Sequence, residues 1–171
     1  MDSLRIIADL MTISARTAPK TKGEDHILTK TIEGGDIKKL AKDMIEYGER
    51  HKRSNFDRDA KGVLASSAVL LIGLKDAKPA MINCGACGFK NCKEASKQVN
   101  DGEFKGLICA FRLLDLGIAL GSAVKTAMCH NVDNRIIYRI GAVARSCGIV
   151  DWHIAIGIPL SATGKNPHFD R

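Results

Sequence analysis

The chain has 171 residues, 45% hydrophobic and 26% charged, the proportions of an ordinary globular protein long enough to bury a real core. The formal net charge is +7, yet only 5% of residues are aromatic, which leaves few stacking platforms for single-stranded nucleic acid. No stretch approaches the about twenty uninterrupted apolar residues of a helical membrane span, so neither nucleic acid nor membrane is an expected partner.

In chain order, Leu4, Ile7, Leu10 and Met11 recur at helical spacing after Ser3 and predict a helix over residues 3–14. Residues 16–25 are polar, contain Pro19 and Gly23, and read as a loop. Gly34 and Gly35 mark a break, and Asp36 then caps a helix with Ile37, Leu40, Ala41, Met44 and Ile45 on one face. Between Lys38 and Lys61 the basic residues alternate with Asp43, Glu46, Glu49, Asp57 and Asp59, the pattern of a solvated face. A short helix is expected over residues 56–64. The run AVLLIGL at 68–74 predicts a strand enclosed on both faces.

Further helices are expected over 92–99, 111–128 and 133–145, the last with Ile136, Ile137, Ile140 and Val143 inward. Gly117 and Gly121 suggest close backbone approach along the second of them. A final alternating strand, DWHIAIGI, is expected to end at Pro159. The order helices, strand, cysteine loop, helices, strand implies an α+β domain. Neither repeat nor linker divides it, so one domain is expected, with the cysteine loop at about 82–110.

That loop carries the chemistry. Cys84, Cys87, Cys92 and Cys109 stand in the spacing C-x2-C-x4-C-x16-C, with glycine directly after each of the first two. Three thiolates within nine residues can wrap one side of a cluster, and a fourth from downstream can close it. Gly85 and Gly88 supply positions free of Cβ where such a loop must turn tightly. Ile82, Ala86, Phe89, Leu107 and Ile108 are candidates for its apolar cover. A structural zinc site also opens with C-x2-C but ordinarily finishes with a second close pair of ligands. A thioredoxin-like pair would leave Cys92 unexplained. The opening Met1-Asp2-Ser3 lacks the basic start of a secretory signal, so a reducing cytoplasm is expected, where clustered cysteines more often bind metal than form disulfides. An iron–sulfur cluster accounts best for the pattern. Cys129 and Cys147 read as buried small hydrophobes. His26, His51, His153 and His168 share no ligand spacing.

The stretch from Asn83 to Ala95, followed by Cys109, resembles the four-cysteine [4Fe-4S] module of corrinoid iron–sulfur proteins and of the ferredoxin-like subunit of Rnf electron-transfer complexes. That resemblance implies that all four cysteines are cluster ligands. The whole chain resembles a group of archaeal and bacterial ferredoxin-domain proteins. Three further segments, Ser14-Ala15-Arg16-Thr17, the small-residue run from Gly117 to Ala123, and Ala155-Ile156-Gly157-Ile158-Pro159, follow the order found in nitroreductase-type flavoproteins. This likeness implies a mixed sheet with flanking helices and an inserted cluster loop. It also implies FMN phosphate held by Arg16, Lys20 and Lys22, and a homodimer through the 111–128 helix. The segment that meets the flavin ring in that family has no counterpart after Gly23, and the three basic residues equally suit a solvated loop. The functions in view are an iron–sulfur oxidoreductase with FMN, a non-enzymatic electron carrier, and a protein whose cluster is structural or sensing. The positive charge suits an acidic redox partner protein.

Overall fold

The computed structural model describes residues 3–169. A four-stranded antiparallel sheet lies between two helical layers, with strand order β1-β2-β6-β5. The long strands are β1 (Ile27–Glu33), β2 (Ala68–Leu74) and β6 (Ile154–Ser161). The expected strand at 68–74 is β2, paired with β1 from Ile27↔Leu74 to Glu33↔Ala68 and with β6 from Ala68↔Leu160 to Leu74↔Ile154. All seven of its residues are buried because both faces are covered. Ala68, Leu70, Ile72 and Leu74 pack under α1 (Ser3–Thr17) and α5 (Ala110–Cys129). Val69 and Leu71 pack under α2 (Gly35–Arg50), α3 (Phe56–Leu64) and α6 (Tyr138–Ser146). A continuous apolar run rather than an alternating one is what such a central strand requires.

The sheet can be covered this closely because three glycines lie at its contacts. A Cβ on Gly141 of α6 would sit 1.7 Å from the Ala155 carbonyl oxygen, and one on Gly157 would sit 2.2 Å from the Ile140 side chain. A Cβ on Gly73 would meet the Ile154 carbonyl oxygen at 2.2 Å.

Several expectations need correction. Strand β1 went unrecognised, because ILTKTIE has Lys30 and two threonines where a buried run would be apolar; it is an edge strand, and only Ile27 and Ile32 are buried. Asp133 and Asn134 form strand β5 against β6, so the 133–145 helix starts only at Tyr138, and Ile136 is exposed rather than inward. Ile137 is held extended by two backbone hydrogen bonds with Gly157. Strand β6 runs through Pro159 to Ser161; proline lacks only the donor, and Val69↔Pro159 is kept in register. On α2, Tyr47 is buried while Ile45 is exposed.

Candidate metal centre

Between Lys75 and Cys109 only Ala80, Cys92, Ala95 and Cys109 are buried, so this segment has no apolar core of its own. It leaves the sheet where the His153 amide donates to the Leu74 carbonyl at 2.8 Å. Met81 and Asn83 have positive φ, as do Gly85 (72°) and Gly88 (85°), the two glycines expected at tight turns. The Gly88 amide donates to the Gly85 carbonyl at 2.9 Å, closing the turn that carries Cys87. Asn83 and Cys92 bind each other twice: the Cys92 amide donates to Asn83 Oδ1 at 2.9 Å, and the Asn83 amide donates to Cys92 Sγ at 3.4 Å. An N–H donor on a ligating sulfur is one way a protein tunes a cluster.

The expected 92–99 helix shortens to α4 (Cys92–Ala95), capped by Asn91, whose Oδ1 accepts the Glu94 amide at 2.9 Å. Residues beyond it turn into a hairpin of β3 (Asn100–Asp101) and β4 (Lys105–Gly106). Arginines of the body fasten this hairpin. Arg145 donates to the Gly102 and Glu103 carbonyls and pairs with Asp101, while Arg53 reaches Glu103 at 3.5 Å. The chain returns to place Cys109 at the N-terminus of α5, where its carbonyl accepts the Leu113 amide at 3.1 Å.

All four cysteines line one cavity, which holds about 370 Å³ of atom-free space including its opening to solvent. Cys92 and Cys109 are buried, Cys87 is half-buried and Cys84 is exposed. Of the expected apolar cover, Ile82, Phe89 and Leu107 line the cavity, joined by Pro79, Ala95 and Ala110. Ile108 instead packs into the α1–α5 core, and Ala86 is exposed. Among the described residues no three His, Cys, Asp or Glu side chains converge as ligands of a single metal ion. A tetrahedral zinc site needs its sulfurs about 3.8 Å apart, which follows from Zn–S bonds of about 2.3 Å. In a polynuclear cluster each cysteine sulfur binds its own iron. The positive end of the α5 dipole, at Cys109, favours an anionic group there.

Sequence reasoning missed Arg112. It is fully buried one turn after Cys109 and binds four groups. Its Nε donates to the Lys78 carbonyl at 2.9 Å and its Nη1 to the Thr21 carbonyl at 3.1 Å. Nη1 also lies 3.3 Å from Asp115, and Nη2 pairs with Glu24. Asp115 in turn accepts the Thr21 amide and hydroxyl, both at 2.8 Å. The guanidinium therefore ties the loop after α1 to the approach of the cysteine loop. A signal existed: Arg112 and Asp115 share the inward stripe of α5 with Leu116, Ala119 and Ala123, positions where apolar residues are the rule.

The three candidate phosphate contacts do not gather as free donors. Arg16 donates to the Ile27 carbonyl and pairs with Asp25 at 2.8 Å. The Lys20 side chain is only 6% exposed and binds the Arg16 and Ala18 carbonyls and, at 3.9 Å, Asp25. Lys22 is exposed, 3.8 Å from Glu24. A phosphate here would compete with Asp25 for both inner cations. Neither remaining cysteine is buried as expected: Cys129 and Cys147 are exposed, and both lie outside the cysteine cavity.

Comparison with known proteins places this geometry. A protein of Archaeoglobus fulgidus, described only as an uncharacterized protein, is 48% identical over 171 residues, covering 99% of this chain and 92% of its own. Solved structures share the fold at low identity. A nitroreductase family protein of Clostridium novyi NT matches with a TM-score of 0.59 at 17% identity, over 92% of this chain and 74% of its own. A variant of the FMN- and NADPH-dependent nitroreductase NfnB of sphigopyxis sp. strain HMH matches with a TM-score of 0.61 at 11% identity, over 96% and 82%. The α+β architecture with flanking helices expected from the sequence is thus a nitroreductase-like fold, with an antiparallel sheet where a mixed one was expected. A family model described as "uncharacterized protein containing a ferredoxin domain (DUF2148)" matches residues 105–171, from the strand before Cys109 onward. With a relative aligned along almost its full length and this model matched, the chain belongs to the family of ferredoxin-domain proteins.

Proposed function

We propose that the protein is a redox protein holding one [4Fe-4S] cluster on Cys84, Cys87, Cys92 and Cys109, and that it works as an electron carrier. One observation carries the reading: the four cysteines of the C-x2-C-x4-C-x16-C spacing line a single cavity. A cluster there would supply one-electron exchange. The chain's own residues would hold and tune it. Asn83 offers its amide to Cys92, the α5 N-terminus stabilises negative charge at Cys109, and Ile82, Phe89 and Leu107 limit water. Exposed Cys84 leaves one edge open to a partner. Besides the cysteines the cavity wall carries no ionisable side chain, only Asn91 among polar ones, so it presents no acid or base to a substrate. That favours a carrier over an enzyme acting at this point.

A flavin-dependent oxidoreductase is the second reading, favoured by the fold shared with FMN-dependent nitroreductases. The residues after α1 do not fit its phosphate as they stand, because Asp25 already occupies Arg16 and Lys20. No step is assigned to a flavin. A homodimer is supported by the exposed face of α5, where Leu113, Leu114 and Ile118 surround Gly117 and Gly121. The two glycines touch nothing within 4 Å of a Cβ position, so the close approach they suggest is not made within this chain.

Anaerobic purification with iron and sulfide analysis tests the main reading. About four of each per chain are expected, with depletion or conversion of the cluster in Cys87→Ser. Stoichiometric zinc without iron would falsify it. FMN titrated into the same sample should show no saturable binding at micromolar concentration; saturable binding weakened by Arg16→Ala would establish the flavin reading instead.

A further inference from the structure

We infer that the cysteine lobe is the docking face for a small acidic electron-carrier protein, centred on exposed Cys84 and gripped by Lys90, Lys93 and Lys97. The inference rests on the cluster reading and adds to it the place and chemistry of the partner.

The charge of this lobe is unbalanced in a way the α2 face is not. Residues 78–109 contain five lysines against Glu94, Asp101 and Glu103. Asp101 and Glu103 face arginines of the body, which leaves Glu94 as the acid with no ion pair among the described residues. Lys90, Lys93 and Lys97 are exposed and form no ion pair among the described residues. A four-thiolate cluster contributes about −2 when oxidised, which cancels the net charge of residues 78–109 taken alone. The excess of about +2 returns once Asp101 and Glu103 are counted as neutralised by Arg145 and Arg53, and it lies on the unpaired lysines. On α2, by contrast, Lys38, Lys39 and Lys42 alternate with Asp36, Asp43 and Glu46, so that face has no net sign to offer.

The same lobe supplies the apolar centre that a charged rim needs. Ile82, Val99 and Leu107 are 47%, 75% and 37% exposed. Ile82 and Leu107 also line the cysteine cavity, and the Leu107 amide donates to the Gln98 carbonyl beside Val99. Exposed apolar residues and unpaired cations on one segment are the ingredients of a transient protein interface, and the charges set its encounter rate. The exchange across it is one electron, lost by the reduced carrier and gained at the cysteine site, with no bond made and no proton moved.

The test uses anaerobic full-length protein and, as probe, a plant-type [2Fe-2S] ferredoxin with an acidic surface. Affinity is measured calorimetrically at rising NaCl, with iron and sulfide assayed on every sample. Affinity should fall steadily with salt. The triple variant Lys90→Gln, Lys93→Gln, Lys97→Gln should bind at least tenfold more weakly while keeping its iron. The matched variant Lys38→Gln, Lys39→Gln, Lys42→Gln should bind as wild type does. A loaded protein that fails to bind, binds without salt dependence, or loses affinity equally in both variants overturns the docking face and leaves the cluster reading intact. A chain without iron overturns the cluster reading instead.

Discussion

The sheet body and the cysteine lobe are held in opposite ways. All seven residues of β2 are buried, and the α6 layer closes over glycines that admit no added atom. Between residues 75 and 109 four residues are buried, two of them cysteines, and the backbone is fixed by turns and by arginines reaching in from outside. The body is ordered by apolar burial, which needs nothing beyond the chain. The lobe lacks that term, so its order depends on the body's polar clamps and on whatever its four sulfurs bind. The scaffold therefore has its own source of order, separate from whatever the four cysteines hold.

The sharpest break on the body side is Gly141→Ala. The new methyl would lie 1.7 Å from the Ala155 carbonyl oxygen, and backbone cannot yield as a flexible side chain does. A loss of about 3 kcal/mol or more is expected from such overpacking, seen as a lowered urea midpoint for the whole molecule. A variant as stable as wild type would mean that α6 does not sit this close to β6.

At the junction, Arg112→Met should cost about 3 kcal/mol, since removing one partner of a buried pair strands the other. The stranded group is Asp115, and Glu24 at the surface keeps access to water. Adding Asp115→Asn should recover part of the loss; strict additivity of the two changes would show that the pair is not coupled. Hydrogen exchange in Arg112→Met should rise in residues 75–109 before it rises in β2, which separates the junction from the body.

The smallest effect is a pH dependence at the far end of the body. His168 is buried beside Ser161, with its ring nitrogen 3.2 Å from the hydroxyl, and burial holds its pKa below the ordinary value although Asp133 pulls the other way. Arg135 also bears on the ring electrostatically and donates to the His168 carbonyl, while a Cβ on Gly62 of α3 would lie 3.3 Å from Nδ1. A lowered folded pKa means that the unfolded chain takes up the proton first. Stability should therefore be constant above about pH 6.5 and fall as pH drops through that value. His168→Gln should flatten this slope in urea titrations between pH 8 and 5, and an unchanged slope would assign it to the carboxylates.

The same contrast explains what could be read from sequence. The body announced itself wherever burial was two-sided or strictly periodic: AVLLIGL gave β2 to the residue, and the periodic runs gave α2, α3 and α5 within a residue or two. It stayed silent where pairing overrode local pattern. ILTKTIE became β1 because β2 offers it seven partners, and Asp133 to Ile137 joined β6 instead of α6. In the lobe the four cysteines and two glycines were legible because ligand chemistry restricts residue type so tightly. Arg112, Arg145 and Arg53 were not, since their partners are largely backbone carbonyls and acids distant in sequence, and no spacing rule encodes those.

The register of the central sheet has a consequence for biosynthesis. Strand β2 is complete by residue 74, but its partner β6 lies some eighty residues later, and the four cysteines are translated between them. Such a long-range pairing forms late, so AVLLIGL waits beside β1 with one edge unmatched until residue 161 has left the ribosome. The lobe waits with it, because its fastenings to His153 and Arg145 belong to that last part of the chain. On the cluster reading, loading of the cysteines therefore follows translation rather than accompanying it.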